Sequence, residues 1–258
     1  MSRRKNTGWV PDQHGAWVMV IVPILLGIII TRPHLVHLPL ALAWFSGYFA
    51  FFALGLWLKV PPSRKKTFQP ACLTYGLLCI VSSAVVIAMA PRVLLSALWF
   101  APLVVIAVVE AYRKRPRSVA SGLSTTLASA GLIPACGLAT GADSATMSSL
   151  WVVALVIALY QCGTIFFVKT MIRHRGQESW LTASVVYHLL AAAVVAWLWQ
   201  AGLCTVWPFV VMVAVAVRAW AMPFISARMQ RPMTPKLVGM IEGIWVIAVV
   251  DAVLVSLV

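Results

Sequence analysis

Long apolar runs recur along this whole sequence, and polar residues are confined to short stretches between them. A helix needs about 20 consecutive apolar residues to cross the hydrocarbon core of a bilayer. Nine candidate runs cover residues 15–31, 35–58, 70–90, 93–109, 119–140, 150–168, 181–200, 203–221 and 237–258. The sequence therefore predicts an all-α fold, a polytopic bundle of about nine transmembrane helices.

Composition excludes a water-soluble globular protein. Hydrophobic residues make up 62% of the chain and charged residues only 10%, whereas soluble domains carry about 25% charged residues. The nine runs leave no room for a soluble domain of useful size. We expect one transmembrane domain over residues 1–258, with residues 1–14 as a basic cytoplasmic segment.

The positive charges are distributed unevenly between the two sides that alternating spans would create. The chain has a net charge of +14, and all Lys and Arg residues except Arg32 and Arg92 fall on one side. Because cytoplasmic loops collect Lys and Arg, this distribution predicts that the N-terminus is inside and the C-terminus outside. It also indicates anionic membrane lipids as partners, rather than nucleic acid.

His188, Glu242 and Asp251 are ionisable residues inside the predicted spans. Ionisable groups in a membrane interior are costly, so each is a candidate for a ligand pathway. A structural role is the alternative. Glu242 lies about one turn into the last span, where it could pair with Arg218 or Arg228.

A second set of polar residues lies toward the predicted cytoplasmic side. Positive groups near a cavity could hold a phosphate or carboxylate, although Lys59, Lys169 and Arg173 could also extend to lipid phosphates. Gln161 shares a helix face with Thr164. His14 has Asp12 two residues away, so the two are weak candidates for catalysis. The predicted headgroup site comprises His14, Lys59, Gln161, Lys169 and Arg173.

Small and kink-forming residues give two predictions about packing. Residues 118–131 are rich in Ser, Thr and Gly, a composition that allows helices to approach closely or lines a polar cavity, and packing is the favoured role. Pro23 and Pro134 lie inside spans, where a proline leaves backbone carbonyls open toward a neighbouring helix or a cavity.

Two motifs carry a resemblance to a known family. Residues 11–17 read PDQHGAW and are followed by Pro23 and Gly27, while residues 163–173 read GTIFFVKTMIR. A weaker match joins Glu110, the Arg-rich loop after it and residues 121–122. Together they resemble the YwiC-like family of bacterial membrane proteins. The resemblance implies a multi-pass protein of the bacterial cytoplasmic membrane whose activity is not established.

The expected nine-helix architecture also resembles the UbiA-type prenyltransferases. Those enzymes hold Mg²⁺ with Asp-rich motifs after the second and sixth helices, where this chain has Lys59, Lys169 and Arg173 and no Asp. A site for Mg²⁺ and a diphosphate is therefore not expected. The five cysteines form no CxxC pair, so no zinc site, other metal site or cofactor is predicted.

Three functions remain open at this point. The first is binding of an anionic isoprenoid or phospholipid headgroup at a cytoplasmic-side cavity, including a metal-independent UbiA-like enzyme. The second is a small-solute transporter that uses His188, Glu242 and Asp251. The third is an accessory subunit of a membrane complex, such as a respiratory complex, whose protein partner the sequence does not name.

Overall fold

The structure, a computed structural model, describes residues 7–11, 14–115, 117–229 and 233–257, with residues 14–16 described by their backbone alone. Within these ranges the secondary structure is entirely helical. The helices are α1 His14–Thr31, α2 His37–Lys59, α3 Pro62–Met89, α4 Ala97–Tyr112, α5 Val119–Ala130, α6 Leu132–Thr140, α7 Ser144–Val168, α8 Glu178–Gln200, α9 Val206–Arg228 and α10 Pro235–Val255. A 3-10 turn, Pro91–Ser96, precedes α4, and a π-helical turn, Lys169–Arg173, follows α7.

Among the described residues, eight helical segments are long and apolar enough to cross a membrane, and Trp17–Thr31 is a shorter apolar helix. The 3-10 turn and α4 form one such segment, and α5 and α6 form another. The all-α prediction is confirmed, and the protein is a multi-pass membrane protein. Its orientation in the membrane stays a prediction.

Helices α3 and α9 extend furthest beyond their predicted limits. Helix α3 begins at Pro62 and α9 continues to Arg228, while the apolar runs suggested 70 and 221. Lys and Arg have good helix propensity, so charged residues that end an apolar run do not end the helix. Arg218, which we had grouped with the loop charges, therefore lies inside α9.

The chain divides into two compact units, Met1–Leu150 and Trp151–Val258, and their boundary falls within α7. We call them the first and second units. The expected single domain over residues 1–258 stays a prediction.

A proline kink joins helices in the first unit. Pro23 lacks an N–H group and cannot bond the carbonyl of Met19, four residues earlier. The buried hydroxyl of Ser129 donates a hydrogen bond to that carbonyl instead, and the indole of Trp44 donates to the next carbonyl, Val20, at 2.9 Å. The predicted opening of carbonyls toward neighbouring helices is confirmed at Pro23.

Small residues allow close helix contacts in the same unit. A methyl group added at Gly27 of α1 would lie 2.5 Å from the Cys136 sulfur of α6, so the helices approach closely there. Ser121, Ser124 and Ser129 of α5 are buried. The packing role predicted for this segment is confirmed.

In the second unit, an apolar cluster packs around the end of α7. Phe167, Met171, Ala219, Met222 and Val238 form this cluster. It joins the end of α7 to α9 and α10 and fixes the faces that these helices turn toward each other. The polar residues described next lie directly beside it.

Candidate functional site

Five buried polar side chains of the second unit come from four different helices. We call them the Arg218 cluster: Tyr160 and Thr164 of α7, His188 of α8, Arg218 of α9 and Glu242 of α10. His188 is completely buried, and Arg218 is only 5% exposed. Buried ionisable groups of this kind are rare in membrane spans and commonly functional.

Arg218 and His188 lie near the centres of their helices, whereas Glu242 lies about 10 Å after the start of α10. Arg218 is near the centre of α9, which has 23 residues, so about 15 to 18 Å of helix separates it from either end. His188 is similarly central in α8. The earlier placement of Arg218 at the membrane surface is therefore corrected.

Glu242 and Arg218 form a buried ion pair. Arg218 Nη1 donates to Glu242 Oε1. The other carboxylate oxygen, Oε2, accepts hydrogen bonds from the Thr164 hydroxyl at 2.8 Å and the Tyr160 hydroxyl at 3.3 Å. The predicted structural pairing of Glu242 with Arg218 is confirmed, and Arg228 lies exposed at the end of α9.

Aromatic rings flank the guanidinium group of Arg218. Its Cζ atom lies 4.1 Å from the centroid of the Phe167 ring and 5.5 Å from that of Trp245. These contacts stabilise the cation and fix its plane. They leave the edges of the group for hydrogen bonding.

One edge of that guanidinium has no hydrogen-bond partner among the described residues. Its Nε and Nη2 atoms are buried and unpaired there. These two N–H groups point the same way and form the fork that binds two oxygens of one carboxylate or oxyanion. Since buried donors in proteins are nearly always satisfied, this edge is the strongest indication of a binding site.

The hydrogen bonds of His188 define its tautomer. Nδ1 lies 2.6 Å from the Ser184 carbonyl oxygen. Because a carbonyl only accepts, Nδ1 carries a hydrogen, and Nε2 of the neutral ring has a lone pair. Within the described ranges Nε2 has no hydrogen-bond partner.

Gly163 makes room for this imidazole. A methyl group added at Gly163 would lie 2.7 Å from His188 Nε2. Gly163 directly precedes Thr164, which bonds Glu242, and Arg218 is close enough for its charge to act on His188. His188 therefore belongs to the same polar cluster as the ion pair.

Gln161 is buried on the face of α7 that it shares with Thr164. Its Oε1 atom is buried without a partner among the described residues. Gln161 and Gly163 are two residues apart, or about 200° around the helix. The amide therefore lies on the far side of α7 from His188.

The predicted headgroup residues are distributed over both units. Lys59 is exposed at the end of α2 in the first unit, whereas Lys169 and Arg173 share the π-helical turn of the second. Gln161 precedes Lys169 by about 12 Å of helix. Asp12 and the side chain of His14 lie outside the described part of the chain, and only the backbone of His14 is placed, at the start of α1.

Lys169 and Arg173 have an aromatic neighbour. The Lys169 ammonium lies 5.6 Å from the ring centroid of Trp180, and the Trp180 ring stacks on His174 with 4.1 Å between centroids.

Asp251, the third predicted intramembrane residue, is exposed on α10 and takes no part in the Arg218 cluster.

Comparison with known proteins defines the family. The model of the YwiC-like protein family matches residues 10–137. An uncharacterized protein of Bacillus subtilis (strain 168), YwiC, is 30% identical over 213 residues, or 82% of this chain and 84% of the relative. The chain belongs to the YwiC-like family. The PDQHGAW motif lies within the match to the family model, as predicted.

A second relative extends the comparison to another bacterium. An uncharacterized protein of Haemophilus influenzae is 25% identical over 185 residues, or 72% of this chain and 76% of the relative. Both matches are longer than the first unit, so they extend into the second. No solved structure matches this YwiC-like chain significantly, and the similarity to UbiA-type prenyltransferases stays a prediction.

Sequence reasoning missed the central residue of the site. Arg218 interrupts an apolar run, and that interruption was the available signal. It lies near the end of the apolar run 203–221 and was counted with the loop charges. Tyr160 had no distinguishing pattern, since a Tyr in an apolar helix is ordinary.

Proposed function

We propose that this YwiC-like protein transports a small anion across the bacterial cytoplasmic membrane and binds it at the Arg218 cluster. The observation that carries this proposal is the unpaired edge of Arg218. Its two N–H groups match the spacing of two oxygens in a carboxylate or another oxyanion. A ligand that accepts both hydrogen bonds satisfies donors that are otherwise buried at a cost.

Depth in the bilayer favours transport over lipid binding at this cluster. A lipid headgroup lies at the membrane surface, whereas Arg218 is about 15 Å of helix from the nearer end of α9. Transporters commonly bind their substrate near the membrane midplane. A soluble anion that reaches this depth is already part of the way across.

Thermal stability tests anion binding directly. Acetate, nitrate and inorganic phosphate serve as probes, with chloride as a control that lacks a pair of oxygens. A ligand that binds the folded state raises the melting temperature. We expect at least one oxyanion to stabilise the purified protein in detergent more than chloride does.

Two matched variants locate the effect. Arg218→Lys keeps the positive charge beside Glu242 but loses the fork, so the stabilisation should disappear. Arg228→Lys changes an exposed arginine of the same helix and should retain it. Equal responses of Arg218→Lys and wild type, or no oxyanion effect in wild type, would overturn the binding site.

Transport itself requires a membrane. Counterflow of radiolabelled acetate, or of whichever probe stabilises the protein, is measured in proteoliposomes. Uptake by wild type and by Arg228→Lys, with none by Arg218→Lys, is the expected result. Binding without uptake in any of the three would limit the protein to an anion-binding role.

Binding of an anionic isoprenoid or phospholipid headgroup is the second candidate function. The placement of Lys169 and Arg173 in one turn beside Trp180 favours it. Native mass spectrometry should then detect an anionic lipid on wild type that is lost from the double variant Lys169→Ala, Arg173→Ala. Equal lipid retention by both proteins would remove this candidate.

A further inference from the structure

The net charge of the Arg218 cluster indicates that an anion must bind together with a positive charge. Arg218 is positive, Glu242 is negative and they are paired, so the two charges cancel. Adding one anion alone would leave a net negative charge deep in the membrane. Uncompensated charge in a medium of low dielectric constant is strongly unfavourable.

His188 can supply the missing positive charge. Its Nδ1–H is directed to the Ser184 carbonyl, so a proton can add only at Nε2. Nε2 is buried and has no partner among the residues that the structure describes. Protonation there converts a neutral acceptor into a cation with a second N–H donor.

We infer that each anion bound at Arg218 brings one proton, which binds His188 Nε2, so that the protein is a proton–anion symporter. This inference rests on the proposed anion site. The proton comes from water on one side, adds to the Nε2 lone pair and returns to water on the other side as the anion leaves. The cluster is then neutral both with and without its cargo.

The neighbours of His188 are consistent with this role. The buried titratable or charged groups on the described helices around it are Tyr160 and Cys162 on α7, Arg218 on α9 and Glu242 on α10, and the ring of Tyr187 contacts it on α8. Glu242 is already held by three hydrogen-bond donors. An anion on the fork of Arg218 would offset that residue's repulsion of a protonated His188, so anion and proton should favour each other's binding.

Proton uptake on anion binding tests the inference. Purified wild-type protein in weak buffer near pH 7 is mixed with sodium nitrate, whose conjugate acid is too strong to exchange protons at that pH. Sodium acetate with a protein-free blank is used if only acetate stabilises the protein. A pH-indicator dye should report uptake of about one proton for each anion bound.

His188→Gln removes the proposed proton acceptor. Glutamine retains a polar amide but takes up no proton near neutral pH. We expect this variant to take up less than a tenth of the wild-type protons per anion bound. Its stabilisation by anions and its counterflow exchange should weaken, because the anion's charge is no longer compensated, and a pH gradient should no longer drive accumulation in proteoliposomes.

The results distinguish failure of the proton coupling from failure of the anion site. If anions stabilise wild type but no proton is taken up, or if His188→Gln takes up as many protons as wild type, the coupling is wrong and the anion site remains. If none of the probes binds wild type, the anion site itself fails and the coupling fails with it. A His188→Gln variant that misfolds is replaced by His188→Asn, with the same expected loss.

Discussion

At the scale of single residues, the buried ion pair makes the clearest prediction. Glu242→Gln removes the charge that compensates Arg218 but keeps the side chain's shape. A buried charge left without its partner typically costs about 3 to 5 kcal/mol, so we expect a loss of stability of about 3 kcal/mol. Unfolding by titration with sodium dodecyl sulfate measures it.

Asp251→Asn is the matched control, since Asp251 is an exposed carboxylate on the same helix. We expect it to change the unfolding free energy by less than about 0.5 kcal/mol. The double variant Arg218→Met, Glu242→Leu removes both charges and should recover much of the stability without recovering anion binding. Equal stability of Glu242→Gln and Asp251→Asn would show that the pair is not desolvated.

Gly163 supports a second prediction at this scale. Gly163→Ala should displace His188, because the added methyl group would lie 2.7 Å from Nε2. We expect a lower melting temperature and weaker pH-driven uptake. Gly239→Ala is the control, because its methyl group meets no atom within 4 Å. Alanine normally strengthens a helix relative to glycine, so a stable Gly163→Ala protein would mean that His188 has room to move.

At the scale of helices, the kink at Pro23 can be tested with a double-mutant cycle. Ser129→Ala leaves the Met19 carbonyl without its donor, and we expect a cost of about 1 to 3 kcal/mol. In a Pro23→Ala background, the new N–H at position 23 can bond that carbonyl. The cost of Ser129→Ala should then fall substantially, whereas an unchanged cost would show that the two residues act independently.

The helices themselves could be predicted because apolar length specifies a membrane span. Because of Pro23, the sequence also predicted a backbone carbonyl without a partner inside its helix. The hydroxyl that bonds this carbonyl, that of Ser129, belongs to a residue 110 positions after Met19 and is brought there only by tertiary packing. The inward-facing residues of the Arg218 cluster were likewise not predictable from the sequence. A helix that is apolar on all sides has no amphipathic stripe, so the sequence could not show that Arg218 turns inward or that Gln161 and His188 lie on opposite sides of α7.

At the scale of the whole molecule, the two units use their buried polar residues differently. In the first unit, the buried hydroxyls of Thr31, Ser96 and Ser129 each donate to a backbone carbonyl. In the second, the buried hydroxyl of Thr170 also donates to a backbone carbonyl, but buried atoms of His188 and Arg218 have no partner among the described residues. Polar groups of the first kind stabilise packing, whereas those of the second kind are available to a ligand.

Orientation in the membrane is the last prediction. Moving Arg218 from the loops into α9 removes one positive charge from the predicted cytoplasmic side, but Arg32 and Arg92 remain the only Lys or Arg residues on the other side. With nine crossings, the positive-inside rule still places the C-terminus outside. Alkaline phosphatase fused after the C-terminus should be active and a green fluorescent protein fusion should be dark. The reverse pattern would contradict the orientation but leave the position of Arg218 near the centre of α9 unchanged, because that position does not depend on which end of the helix is inside.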